Sequence, residues 1–147
     1  MITQHAALLF TSYAAFFLAV VTGVVFLLQE NRLKRKDPRV LEAKGLPLEL
    51  LDRINWWAVL AGFVLYTIGT IDGLFLAREN WGSFWSGDPK EVWTFVTLAA
   101  YAGVLGLRLT VGLRGRRVIF MSVMSFLLVI FTCVGVNHLL GSRHNFF

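Results

Sequence analysis

The stretch AALLFTSYAAFFLAVVTGVVFLL, residues 6–28, decides the fold because it contains no charged residue. As an α-helix, its 23 residues would rise about 34 Å, enough to cross a hydrocarbon core about 30 Å thick. We interpret it as a retained span and not a signal peptide, because no Lys or Arg precedes it and it is longer than a signal-peptide apolar region. Three further apolar runs follow. We place the four spans at about 6–28, 54–77, 92–112 and 118–140.

The composition excludes an ordinary soluble domain. Of the 147 residues, 56% are hydrophobic, and the mean hydropathy is +0.65. The length suits one compact unit over residues 1–147, which we predict to be an all-α membrane bundle of four helices. A bundle this thin is expected to associate with lipid and with other membrane subunits or a second copy. Cys133 is the single cysteine, so no internal disulfide can form.

The basic residues predict the topology. Eleven of the 14 lie in the loops between spans one and two and between spans three and four. They are Arg32, Lys34, Arg35, Lys36, Arg39, Lys44, Arg53, Arg108, Arg114, Arg116 and Arg117. Positively charged loops stay on the cytoplasmic side, so both termini are expected to face the periplasm or outside of a bacterial cytoplasmic membrane. Charge confined to these loops indicates orientation, and we expect no nucleic-acid partner.

The first loop contains a possible short interfacial helix. Leu48, Leu51 and Ile54 would share one helical face, and Pro47 suits a first helical position. An ordinary solvated connector fits the same residues.

The loop at about 78–91 is rich in tryptophan: Trp81-Gly-Ser-Phe-Trp85-Ser-Gly-Asp88-Pro-Lys-Glu91-Val-Trp93. Asp88 is placed to cap the third helix, with Pro89 at its first position and Glu91 at its third. The tryptophans fit either an interfacial belt or a set of aromatic faces for a flat, hydrophobic ring. Both interpretations remain open from composition alone.

This segment resembles the WGxxWxWDPKE pattern of the outward loop, called the WWD domain, in CcsA/ResC-type cytochrome c assembly proteins. The residues that fall on the pattern are Trp81, Gly82, Trp85, Asp88, Pro89, Lys90 and Glu91. The similarity covers nearly the whole chain, but only the C-terminal half of a typical member. Two positions depart from the family: Gly87 replaces a tryptophan, and Gly106 stands where larger members have an intramembrane histidine.

The resemblance implies a non-covalent, b-type haem held near the outer face by two axial histidines, His5 and His144. His138 is an extra histidine in the last span and an alternative ligand. Taken alone, each of these histidines has an ordinary structural interpretation. The resemblance gives Trp81 and Trp85 the role of cradling the ring, beside Asp88.

Three cations are expected on the outer side: Arg78, Lys90 and Arg143. They could pair with the two haem propionates or contact lipid headgroups. Asp72, a carboxylate within the second span, is either a functional group or one member of a hydrated ion pair.

Three functions fit these observations. The chain could hold haem for delivery to apocytochrome c, or keep haem permanently as an electron-transfer subunit facing an outer cytochrome. It could also be a structural or regulatory subunit with a vestigial site. The sequence contains no nucleophile constellation or P-loop, so any enzymatic role would be as part of a larger haem-attachment or redox complex.

Overall fold

The computed structural model describes residues 2–36, 47–85, 87–112 and 115–135, and these ranges form four long helices and their connections. The helices are α1 (Ile2–Lys34), α2 (Leu48–Trp81), α3 (Pro89–Gly106) and α4 (Arg116–Ile130). Helix α3 continues as a π-helical segment at Leu107–Val111, and α4 continues as another at Phe131–Gly135.

All four helices are long and apolar enough to cross a membrane. The predicted all-α class with four spans is therefore confirmed. The helices are longer than the apolar runs, because α2 extends through a polar turn to Trp81 before Gly82 ends it in a left-handed conformation. Successive helices reverse direction, so His5, Trp81 and Lys90 lie at one end of the bundle, here called the His5 end. Arg108 and the first residues of α4 lie at the other, the Arg108 end.

Helix α2 also corrects the prediction for the first loop. It begins at Leu48, with Pro47 immediately before it, and continues without a break through Ile54. The separate interfacial helix that opens at Pro47 is therefore wrong: these residues are the first turns of the span. The reason is burial, since Leu51 is 2% exposed and packs beside Phe26 and Ile119. Residues 37–46 of that loop lie outside the described part of the chain.

An aromatic cluster holds the middle of the bundle together. Phe16 of α1 is fully buried and stacks on Tyr101 of α3, with ring centroids 3.9 Å apart and planes 10° from parallel. Its edge also meets Tyr66 of α2 at 5.9 Å. These contacts join three helices and fix the position of α1 against α2.

Buried polar side chains link the helices further. The Asn55 amide donates to the Ala19 carbonyl at 2.8 Å and to the Ser122 hydroxyl at 3.3 Å. The hydroxyls of Thr97 and Thr132 lie 3.1 Å apart, between α3 and the π-helical end of α4. Such hydrogen bonds satisfy polar groups that have no water partner in hydrocarbon, and they restrict how the helices can slide.

Candidate cofactor-binding site

A pocket of about 360 Å³ opens at the His5 end, and all four helices contribute to its wall. Helix α1 contributes His5, Ala6, Leu9, Phe10 and Tyr13, and α2 contributes Thr70, Gly73, Leu74, Leu76, Ala77, Asn80 and Trp81. Helix α3 contributes Lys90, Glu91, Thr94 and Phe95, and the π-helical end of α4 contributes Cys133. The wall is largely apolar with a few polar groups, which is the usual character of a small-molecule or cofactor site.

The His5 imidazole is held by the backbone of α2. Its Nδ1 lies 2.8 Å from the Gly69 carbonyl oxygen. A carbonyl only accepts hydrogen bonds, so this contact assigns the proton to Nδ1 and the lone pair of the neutral ring to Nε2. This is the arrangement in which a histidine can offer Nε2 to a metal.

Gly73 lies directly under the same ring. A Cβ atom built on Gly73 would stand 2.6 Å from His5 Cε1 and 3.2 Å from Nδ1. Real Cβ contacts are essentially never that short, so the ring occupies the volume of the missing side chain.

Aromatic side chains form much of the remaining wall. Phe10 and Tyr13 follow His5 along α1 and meet edge to face, with centroids 6.3 Å apart. Trp81 closes the end of α2, and Phe95 faces the pocket from α3. Four aromatic side chains around one imidazole suit a flat, apolar ligand.

The two tryptophans predicted to act together are placed differently. Trp81 lines the pocket, whereas Trp85 is not among the lining residues and packs against Phe95, at a centroid distance of 5.7 Å. Between Trp85 and the cap of α3, Gly87 has a φ of 74°. A tryptophan, the usual residue of the family pattern there, would be strained in that conformation.

The cap predicted for α3 is confirmed. Asp88 is the N-cap, Pro89 takes the first helical position, and a carboxylate oxygen of Asp88 accepts from the Lys90 backbone N–H at 2.9 Å. Asp88 is buried, and this hydrogen bond caps the start of the helix. The cap brings Lys90 and Glu91 of the first turn to the pocket wall.

Arg78 lies outside the pocket wall. Its guanidinium carbon stands 4.8 Å from the centroid of the Phe84 ring, and its side chain is exposed. The remaining predicted residues, His138, Arg143 and His144, lie outside the described residues. Of the predicted set, the structure therefore brings together His5, Trp81 and Lys90, with Asp88 in support.

Tyr13 and Cys133 are two of the lining residues that the sequence analysis did not predict for the site. Tyr13 reaches the pocket from α1, and Cys133 reaches it because α4 becomes π-helical at Phe131. Tyr13 lies two turns after His5 on the same helix, and this spacing could have predicted that both side chains face the pocket. The π-helical turn that carries Cys133 leaves no comparable mark in the sequence.

The described residues contain no group of three or more His, Cys, Asp or Glu side chains that could hold a bare metal ion. A haem needs less from the protein, since its iron is held by axial side chains while the ring meets apolar walls. The pocket has features that fit such a group: one imidazole with its lone pair on Nε2, aromatic walls and the Lys90 ammonium.

These features define an integral membrane protein with a largely apolar, helix-walled pocket at one end. The chain belongs to the cytochrome c assembly protein family, whose sequence pattern matches residues 1–144. This confirms the resemblance seen in the tryptophan segment.

Curated relatives agree with the assignment. The chain is 43% identical over 98 residues to the cytochrome c biogenesis protein CcsA of Prochlorococcus marinus strain MIT 9312, covering 67% of this chain and 32% of the relative. It is 30% identical over 164 residues to CcsA of strain MIT 9215, covering 99% of this chain and 53% of the relative. These matches thus span between a third and about half of the relatives' own length. No solved structure matches the chain.

Proposed function

We propose that the chain holds a non-covalent, b-type haem at the His5 end of the bundle, as a step in cytochrome c biogenesis. The observation that carries the proposal is His5 itself, whose ring is fixed against α2 and faces an apolar pocket walled by all four helices. Family membership supplies the biological context. When bound, haem supplies the prosthetic group that a c-type cytochrome carries.

The residues of the pocket would have different roles in haem binding. His5 would ligate the iron through Nε2, and Trp81 with Phe95 would contact the faces of the ring. The Lys90 ammonium, at the start of α3, would pair with a propionate. The resemblance assigns the second axial position to His144. Arg143, one residue before it in the sequence, would pair with a propionate, and His138, which the family pattern lacks, is the alternative ligand.

Trp85 and Arg78 would act from outside the pocket wall. Trp85 supports Phe95, and Arg78 lies over Phe84 in the connection that leads to the cap of α3. Both would therefore influence the bound ring through aromatic neighbours.

The charge pattern supports a site on the outer side of a bacterial cytoplasmic membrane. Lys34 and Arg116 lie near the Arg108 end, where Lys34 pairs with Glu30 at 2.9 Å and Arg116 donates to Asn31 at 2.7 Å. With that end cytoplasmic, the pocket faces the periplasm. The partners would be haem, an apocytochrome c, membrane lipid and other membrane subunits or a second copy.

One observation favours a second function, in which the haem is kept permanently for electron transfer to an outer cytochrome. The His5 ring is held both by a hydrogen bond and by close packing on Gly73, and such rigid ligation suits a retained cofactor.

Incubation of the haem-loaded protein with a reduced apocytochrome c separates the two functions. Biogenesis predicts that the Soret absorbance leaves the membrane protein and appears with the apocytochrome. Haem that stays with the chain and titrates reversibly would establish electron transfer instead. Failure of the wild type to take up haem would leave a structural or regulatory role.

A further inference from the structure

We propose that Gly69 and Gly73 of α2 are positioning residues for His5: the Gly69 carbonyl selects its tautomer, and Gly73 sets the position of its ring. The imidazole would thereby be prepared as an iron ligand before haem arrives. This inference rests on the proposed function for its purpose, but its physical content concerns the protein without haem.

The hydrogen bond carries the first part. The Gly69 oxygen lies in the interior of α2, where it also accepts the helical N–H of Gly73, four residues on. Its second lone pair receives the Nδ1–H of His5 at 2.8 Å. Because both groups that converge on this oxygen are donors, the tautomer of His5 is set by a backbone atom that no side-chain replacement removes.

Steric contact carries the second part. The distances from a Cβ at Gly73 to Cε1, Nδ1 and Nε2 of His5 would be 2.6, 3.2 and 3.5 Å, so any side chain there meets the ring itself. The ring cannot move away and still keep Nδ1 at 2.8 Å from Gly69. An alanine at position 73 must therefore displace the imidazole or break its hydrogen bond.

Two other glycines on α2 show that this contact differs from general helix packing. A Cβ at Gly62 would meet the Phe16 ring at the same 2.6 Å, but Phe16 is a buried core residue. A Cβ at Gly69 would meet Leu9 at 2.9 Å, at the end of a flexible side chain. Gly62→Ala is thus a matched control, with equal overlap on the same helix and no contact with the pocket.

The first measurement uses the apoprotein. Nitrogen-15 spectra of histidine-labelled protein, at a mildly alkaline pH, report which ring nitrogen carries the proton, and His5→Gln identifies the His5 signals by their loss. The proposal predicts a protonated Nδ1 and an unprotonated Nε2 for His5. A proton on Nε2, or an equal mixture of the two tautomers, would overturn it.

The second measurement compares the two alanine variants. Both should lower the thermal midpoint, because each overfills a close contact between α1 and α2. Only Gly73→Ala should change the His5 nitrogen shifts, and it should weaken haem binding about 10–100-fold, the usual effect of losing a group that orients a ligand. Equal effects of Gly62→Ala and Gly73→Ala on the shifts and on haem binding would reduce Gly73 to a packing residue.

The outcomes also separate this inference from the proposed function. A wild type that shows the Nδ1–H tautomer and binds no haem would contradict the haem role while leaving the positioning intact. A wild type that binds haem with the proton of His5 on Nε2 would contradict the positioning by Gly69 while leaving the haem role intact. If Gly73→Ala does not fold, the wild-type tautomer still decides the part of the proposal that concerns Gly69.

Discussion

Arg108 and Asp52 are joined by two parallel hydrogen bonds, from Nη1 to Oδ1 at 3.0 Å and from Nη2 to Oδ2 at 2.8 Å. Both side chains are largely buried, at 11% and 17% exposed, and the Arg108 guanidinium lies 4.7 Å from the centroid of the Trp56 ring. The pair ties the π-helical end of α3 to the first turns of α2, so Arg108 does not simply extend towards lipid headgroups. It gives the end of the bundle opposite the pocket a fixed geometry.

Asp52→Ala should lower the free energy of unfolding by about 2–3 kcal/mol, because it leaves the buried Arg108 guanidinium without its carboxylate. Unfolding in mixed micelles would measure the change. Arg53→Ala, one residue along, is the control: its pair with Glu49 is exposed and should contribute less than about 1 kcal/mol. Equal losses in the two variants would contradict a special role for the buried pair.

Cys133 offers a probe of the pocket that needs no substitution, because it is the single cysteine of the chain. Its place in the pocket wall and its partial exposure predict that a small thiol reagent can reach it in the apoprotein, although the apolar surroundings of the thiol should make the reaction slow. Prior loading with haemin should slow that modification about tenfold or more. This is the protection expected when the free haemin concentration is at least about ten times its dissociation constant and bound haemin blocks access to the thiol. Mass spectrometry would measure the fraction of the protein that is labelled over time. A rate that haemin does not change would place the haem elsewhere.

Trp81 and Trp85 should differ in their effect on haem binding, because Trp81 lines the pocket whereas Trp85 packs behind Phe95. Trp81→Ala should weaken haemin binding about tenfold, the loss of about 1.4 kcal/mol that one aromatic contact can provide. Trp85→Ala should have a clearly smaller effect. Haemin titrations followed by the Soret band would measure both, and a larger loss in Trp85→Ala would contradict the assigned arrangement.

Asp88 should act through helix capping. Asp88→Ala removes the oxygen that accepts from the Lys90 N–H and should destabilise the protein by about 1 kcal/mol. Asp88→Asn keeps an oxygen that can accept the same hydrogen bond, so it should retain most of the stability and the haem affinity. Thermal unfolding and haemin titration of the two variants would test this, and an Asn variant as damaged as the Ala variant would show that the charge matters more than the cap.

The four spans, the cap at Asp88 and the family could be predicted because each depends on local sequence. An uncharged run of sufficient length must be a helix in a membrane, and an Asp-Pro pair before an apolar run starts one. The charge pattern also anticipated that His5 and Lys90 would lie at the same end of the bundle.

The contacts between helices could not be predicted in the same way. Two of these contacts join residues more than 50 positions apart: the His5 ring packs on Gly73, and Arg108 pairs with Asp52. Both contacts depend on the rotation of each helix about its axis. The π-helical turn that brings Cys133 to the pocket changes that rotation by one residue. A glycine four residues after another on α2 was the available signal for a close approach, but it does not name the partner.

The most direct test of the central claim is the reduced-minus-oxidised absorption spectrum of the purified protein, recorded beside His5→Ala and His144→Ala. The proposal predicts a sharp low-spin b-type signal near one haem per chain in the wild type. That signal should be lost or converted to high spin in His5→Ala, while the variant still folds. A wild type without haem after reconstitution, or a His5→Ala spectrum identical to that of the wild type, would contradict the claim that His5 holds the iron.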